Sequence, residues 1–150
     1  MADISVELFG RKLANPLILS SGPLTYGAEG IRLALEAGAA GAVTKTITLS
    51  PAVNPTPHIA RAHAPGSLLN TEKWADLSAE QWIERELPAL RERQGVVIAS
   101  IGHVEPNVRA LAAPLVRAGA DMLEVVSYRS QDMAAMVRTA KELVDRKSIV

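Results

Sequence analysis

Short apolar runs alternate along the chain with segments whose apolar positions recur at helical spacing. Leu17-Ile18-Leu19 passes into Ser20-Ser21-Gly22, the pattern of a buried strand leaving into a turn, and a short hairpin is expected before it around Phe9-Gly10-Arg11. Ile31, Ala34 and Leu35 share one helical face that stops at Gly38. Gly41-Ala42-Val43 reads as a second strand running into Thr44-Lys45-Thr46. Ser78 and Gln81 have capping-box spacing, and Ile83, Leu87 and Leu90 then follow at helical intervals up to Gly95, with Pro88 expected to bend the helix. Val96 to Ser100 is a third strand. Its helix carries Val108, Leu111, Ala112 and Leu115 on one face, ends at Gly119 and is expected to kink at Pro114. Met122 to Val126 is a fourth strand, Met133, Met136, Val137, Ala140 and Val144 mark a fourth helix, and Ser148-Ile149-Val150 reads as the opening of a fifth strand.

Strict alternation of strand and helix, with strands apolar on both faces, predicts a parallel sheet covered by helices. No G-x-G-x-x-G follows the first strand, which weakens a dinucleotide-binding open sheet. The expected fold is α/β, a parallel (β/α)8 TIM-barrel type with about the first four βα units present. Residues 1–150 are then the N-terminal half of one barrel domain, since such barrels run to about 250 residues. The proline-rich connection from the second strand to about Leu77 is too long for a simple crossover and is expected to act as a substrate lid.

Sixteen basic and sixteen acidic residues cancel and are scattered, so neither nucleic acid nor an anionic membrane surface is an expected partner. The N-terminus lacks a basic-then-apolar leader and no stretch approaches the roughly 18 apolar residues of a membrane span, which predicts a cytoplasmic protein. The absence of cysteine excludes disulfides, thiolate metal sites, iron–sulfur ligation and a cysteine acid from this segment.

In a parallel β/α fold the C-terminal strand ends converge on one face. Here they carry Ser20, Ser21 and Gly22; Thr44, Lys45 and Thr46; Ser100, Gly102 and His103; and Ser127, Tyr128 and Arg129. A lysine ending an apolar strand is costly unless it meets an anion or an electron-rich acceptor. Its plainer readings are a stem that carries the charge to solvent and a pair with a neighbouring carboxylate. Ser21-Gly22 equally suits a tight turn. Asn70 offers an amide that matches the imide edge of a pyrimidine, or simply satisfies a turn. His58, His63 and His103 lack metal-ligand spacing and read as surface or loop residues, and no metal site is expected. Trp74 and Trp82 read as core or loop packing.

The ordered segments resemble the dihydroorotate dehydrogenase family. Val6-Glu7-Leu8 through Gly10, with Leu13-Ala14-Asn15-Pro16-Leu17-Ile18-Leu19-Ser20-Ser21-Gly22, is similar to that family's opening. Gly41-Ala42-Val43-Thr44-Lys45-Thr46-Ile47-Thr48 and Asn54-Pro55-Thr56-Pro57-His58-Ile59 resemble its second-strand motif and proline-rich sequel. Leu68-Leu69-Asn70, Glu72-Lys73, Trp82 and Val97-Ile98-Ala99-Ser100-Ile101 are more similar to the dihydropyrimidine dehydrogenase branch.

The resemblance implies an FMN-dependent oxidoreductase of pyrimidine metabolism. Ser20, Ser21, Gly22 and Thr44 would lie against FMN, Lys45 would bond the pyrimidine-like end of the flavin ring, and Asn70 would hold a pyrimidine-like substrate. The implied reaction is hydride transfer between flavin and the C5–C6 bond of a pyrimidine or related cyclic amide. Glu124 is followed by Val125-Val126-Ser127-Tyr128-Arg129-Ser130, so Val126 and Arg129 stand where the family has a contacting asparagine and a cysteine acid/base. Ser127 or Ser130 could take over proton transfer with the loop re-registered, and Tyr128 is a further proton donor; Ser127 is the choice among them, against the plainer alternative that this loop has lost or changed the pyrimidine chemistry. The family's second flavin lysine and its phosphate site fall on later strands. The expected partner is therefore a C-terminal half or another copy of the chain. Two alternatives stand beside this reading: a noncatalytic half-barrel that works as an assembly module, and an FMN barrel with a different substrate.

Overall fold

The structure, a computed structural model, describes residues 2–144. The fifth strand expected at Ser148-Ile149-Val150 lies outside them. Phe9 and Gly10 both take positive φ, 50° and 78°, the backbone that a tight two-residue hairpin turn requires. They join strands β1 (Val6–Leu8) and β2 (Arg11–Leu13), which pair antiparallel.

The main sheet follows, built from β3 (Ile18–Leu19), β4 (Gly41–Val43), β7 (Val96–Gly102) and β8 (Met122–Val126). All its pairings are parallel and its spatial order is β3-β4-β7-β8. Each strand lies beside its predecessor, with no reversal of direction across the sheet. A doubly wound sheet reverses at a switch point, whereas a barrel adds strands in one sense. The order therefore decides the choice that sequence periodicity leaves open, and the chain forms about four βα units of a barrel-type sheet.

Strand alternation divides the core in two. Val97, Ala99 and Ile101 pack with Ala42, Leu123 and Val125 against the helices, among them α1 (Ala28–Glu36) and α3 (Glu105–Ala118). On the other face Val43, Val96, Ile98 and Met122 pack with Leu13, with Leu8 and Ile18 at their margin. The N-terminal hairpin thus covers the inner, barrel-side face. The same alternation assigns Ser100 and Glu124, which are register partners, to that inner face above the apolar rows.

Helix ends follow local chemistry. Gly119 at φ 130° closes α3 by donating to Leu115 O and Val116 O, in a region where a β-carbon would be strained. Ser78 and Gln81 form the expected reciprocal capping box, with Gln81 N donating to Ser78 Oγ at 3.1 Å and Ser78 N to Gln81 Oε1 at 2.9 Å. Helix α2 (Ala79–Gln81) then continues as a π turn, Trp82–Glu86, and a 3-10 turn, Pro88–Leu90. Pro88 has no N–H to donate and its ring would clash with an α-helical carbonyl. The wider turn, closed by Leu87 N to Trp82 O at 3.0 Å, brings the chain to Pro88 out of α-helical register. Pro114 by contrast lies inside α3, which runs through it unbroken. The fourth helix, α4 (Ser130–Leu143), completes the described chain.

The long connection contains structure that periodicity did not reveal. Strands β5 (Ile59–Arg61) and β6 (Leu68–Asn70) make an antiparallel hairpin whose residues are all exposed. No helix among the described residues is long and apolar enough to cross a membrane.

Candidate functional site

The turn after β3 leaves Ser20 exposed and Ser21 and Gly22 half-buried. A 3-10 turn at Pro23–Thr25 follows, closed by Thr25 N donating to Gly22 O at 3.0 Å. Thr25 O in turn accepts from Lys45 N at 3.1 Å, so the β3 and β4 ends are stitched together. Thr44 is fully buried between strands. Its N–H donates to Ile98 O at 2.9 Å and its hydroxyl oxygen accepts from Ser100 N at 3.0 Å. Ser100 and Thr46 share a hydroxyl bond at 3.1 Å.

Lys45 is only 3% exposed, so its charge is not carried to solvent. Its Nζ donates to Glu72 Oε1 at 2.7 Å and to Asp76 Oδ2 at 3.0 Å. Desolvating an ammonium costs several kcal/mol, and a close opposite charge returns roughly 4 kcal/mol near a protein surface. A lysine this deep therefore needs such partners. Asn54 fixes the second one: its Nδ2 donates to Asp76 Oδ1 at 2.5 Å while its Oδ1 accepts from Lys73 N at 2.6 Å. Burial pushes the Asp76 carboxyl up, but the Asn54 amide and the Lys45 ammonium outweigh it and hold the group below its ordinary value of 3.8. His58 Nε2 lies 3.6 Å from Glu72 Oε1. Pro23, Tyr26, Asn54, Thr56 and His58 line a cleft of about 390 Å³ against these two carboxylates.

Asn70 ends β6, exposed, and its Oδ1 accepts from Glu72 N at 2.8 Å. It is thus linked to the Lys45 cluster through the backbone of Glu72. Trp74, on the same returning loop, opens an aromatic row: the Trp74 and His103 rings are 4.6 Å apart, and His103 and Tyr128 are 5.1 Å apart. Ser127 lies next to this row. Its Oγ accepts from Arg129 N at 3.1 Å, with Arg129 O at 3.2 Å and His103 O at 3.5 Å as acceptors for its proton. The structure thus gathers the β3, β4 and β7 ends with the returning loop, and sets Ser127 on the β8 side.

Glu72 and Asp76 were not singled out by sequence as partners of Lys45. The available signal was two acidic residues four apart on the loop that follows a strand-terminal lysine. The aromatic row draws one ring from each of three separate segments, and no local spacing announces it.

No family model matches the chain. It is 37% identical over 101 residues to the catalytic subunit of dihydroorotate dehydrogenase B (NAD(+)) of Geotalea uraniireducens, covering 66% of this chain and 32% of that protein. It is 30% identical over 125 residues to the subunit of the same name from Caldicellulosiruptor bescii, covering 82% of this chain and 41% of the relative. The chain therefore spans well under half the length of these curated relatives. The crystal structure of a ligand-free DHODH from Eimeria tenella superposes with a TM-score of 0.76 at 18% identity, over 97% of this chain and 48% of that one, a likeness of fold. Sequence and fold agree that this chain is related to the dihydroorotate dehydrogenases, over part of their length.

Proposed function

We propose that this chain supplies the first four βα units of an FMN-dependent oxidoreductase of the dihydroorotate dehydrogenase type, passing hydride between flavin and the C5–C6 bond of a pyrimidine or related cyclic amide. The observation that carries the reading is Lys45, a buried lysine at the end of the second strand of a barrel-ordered sheet. The residues fit a planar, acceptor-rich ring in their donor chemistry. An ammonium has three N–H donors, and the carboxylates of Glu72 and Asp76 take two of them. A Cβ placed on Gly22 would meet nothing within 4 Å, so the β3 end offers an open floor. Ser20, Ser21, Gly22 and Thr44 would border the ring, Lys45 would bond its pyrimidine-like end, and Asn70 would hold the substrate. When bound, the flavin supplies the hydride-accepting centre. Ser127 would move the C5 proton.

The test is the visible spectrum of the chain after incubation with FMN and gel filtration, alongside Lys45→Ala. Flavin retained by the chain and lost in the variant is the expected result. A colourless chain would leave the family relationship intact and remove the flavoenzyme reading for this segment.

A second reading keeps the flavin and changes the substrate. It is favoured by the loop after β8, where Arg129 pairs with Asp132 at 3.3 Å and the Ser127 hydroxyl is held in a local turn. A panel of 5,6-dihydropyrimidines and other saturated cyclic amides offered to the protein with oxidised flavin separates the two, because only this reading expects the dihydropyrimidines to leave the flavin oxidised while another saturated ring gives up hydride and reduces it.

A further inference from the structure

Lys45 is covered by the groups that hold it. Glu72 and Asp76 do not belong to the sheet; both lie on the stretch that returns from the β5–β6 hairpin to α2. That stretch is fastened to the strand ends at one backbone point, Ala75 N donating to Thr46 O at 2.8 Å, and it holds Ala52 N on Ala75 O at 2.8 Å. Charge in the cluster is unbalanced. One ammonium faces two carboxylates, and one carboxylate would already neutralise it. Glu72 is nearly as buried as the lysine, with side-chain exposures of 7% and 4%, and burial of an excess negative charge is costly. Two of the three ammonium donors are taken, and with Lys45 only 3% exposed the third cannot be reached by a ring while both carboxylates cover it.

We propose that Glu72 and Asp76 form a clasp on Lys45 and act as positioning residues: an acceptor-rich ring engages Lys45 only by taking the place of one carboxylate. The inference rests on the flavin reading of Lys45 given above. The cleft beside Glu72 and Asp76, lined by Pro23, Tyr26, Thr56 and His58, gives a displaced carboxylate room to move without entering the apolar core. The remaining carboxylate still pairs with the Lys45 ammonium, so exchange converts a lysine with two carboxylates into a one-to-one pair plus ring. A ring carbonyl is a weaker partner for an ammonium than a carboxylate is. The clasp therefore weakens ring binding in the unaltered chain, and neutralising either carboxylate removes the competitor while leaving Lys45 one partner.

Riboflavin and FMN are titrated into the full chain, into Glu72→Gln, into Asp76→Asn and into the double variant Glu72→Gln with Lys45→Met. Quenching of the flavin's own fluorescence reports binding, and circular dichroism reports the fold. Glu72→Gln and Asp76→Asn are expected to bind riboflavin about tenfold more tightly than the unaltered chain, a change of about 1.4 kcal/mol, and the double variant to lose that gain. An ion pair with a purely structural role predicts the opposite sign, since its loss loosens the site. If the folded single variants bind no more tightly than the unaltered chain, the clasp is overturned while the chain's own binding still upholds the flavin reading. If neither the chain nor any folded variant binds either flavin, clasp and reading both fall. Should Glu72→Gln fail to fold, Asp76→Asn decides, because the Asp76 side chain is 32% exposed and tolerates the change.

Discussion

At the N-terminal ends of the strands Asp121 sits between Arg93 and Arg11, whereas at the C-terminal ends Lys45 sits between Glu72 and Asp76. The lower cluster is anchored in backbone. Arg93 donates to Leu90 O at 2.6 Å and to Gly119 O at 3.0 Å besides meeting Asp121, and Asp121 accepts from Val97 N at 2.9 Å. It ties a helix end, the α3 terminus and strand β7 together, and none of those groups can move without disturbing the sheet. The upper cluster holds the lysine's ammonium through two side chains, both from a loop. One trio is a fastening and the other is an arrangement that can exchange partners. That division matches the barrel rule that one strand face serves stability and the other chemistry.

The comparison breaks if the two ends respond alike to mutation. The largest effect is expected from Asp121→Ala, which strands Arg93 and leaves Val97 N unpaired. It should cost about 3–5 kcal/mol in urea unfolding. Lys45→Met should cost less, about 2–3 kcal/mol, because the Asp76 side chain is 32% exposed and keeps contact with water. Arg11→Ala should cost only about 0.5 kcal/mol, since the Arg11 side chain is 46% exposed and Arg93 remains on Asp121. The smallest effect sharpens the contrast through pH. Asp76 is held below its ordinary 3.8, so its contribution is present above that value and fades as pH falls through the lower folded one. Asp76→Asn should therefore flatten stability against pH in the acid range, measured by urea midpoints at about pH 7, 5 and 3, a window that brackets the ordinary aspartate range.

The four strands and helices of the sheet were legible because burial on both faces writes unbroken apolar runs, as in Val96-Val97-Ile98, and because caps such as Ser78 with Gln81 are local signals. The β5–β6 hairpin was not legible. Leu68, Leu69 and Ile59 are exposed, so no core face imposes alternation, and the hairpin is closed by its own turn, with Ala62 N donating to Ser67 O at 3.0 Å. Lys45 was legible because an ammonium at the end of an apolar strand conflicts with its surroundings. Its partners were not, since they lie 27 and 31 residues away on a segment without periodicity. Pro88 announced a departure from α-helical geometry, but its form as a π turn depended on how Trp82 and Leu87 bury together in the core.

The order β3-β4-β7-β8 has a bearing on how the chain is made as well as on what it holds. From β4 onward each strand pairs with the sheet strand synthesised before it, so these four strands can be laid down in the direction of translation. The inner apolar face is sheltered at the same time by a hairpin that leaves the ribosome before any of those strands.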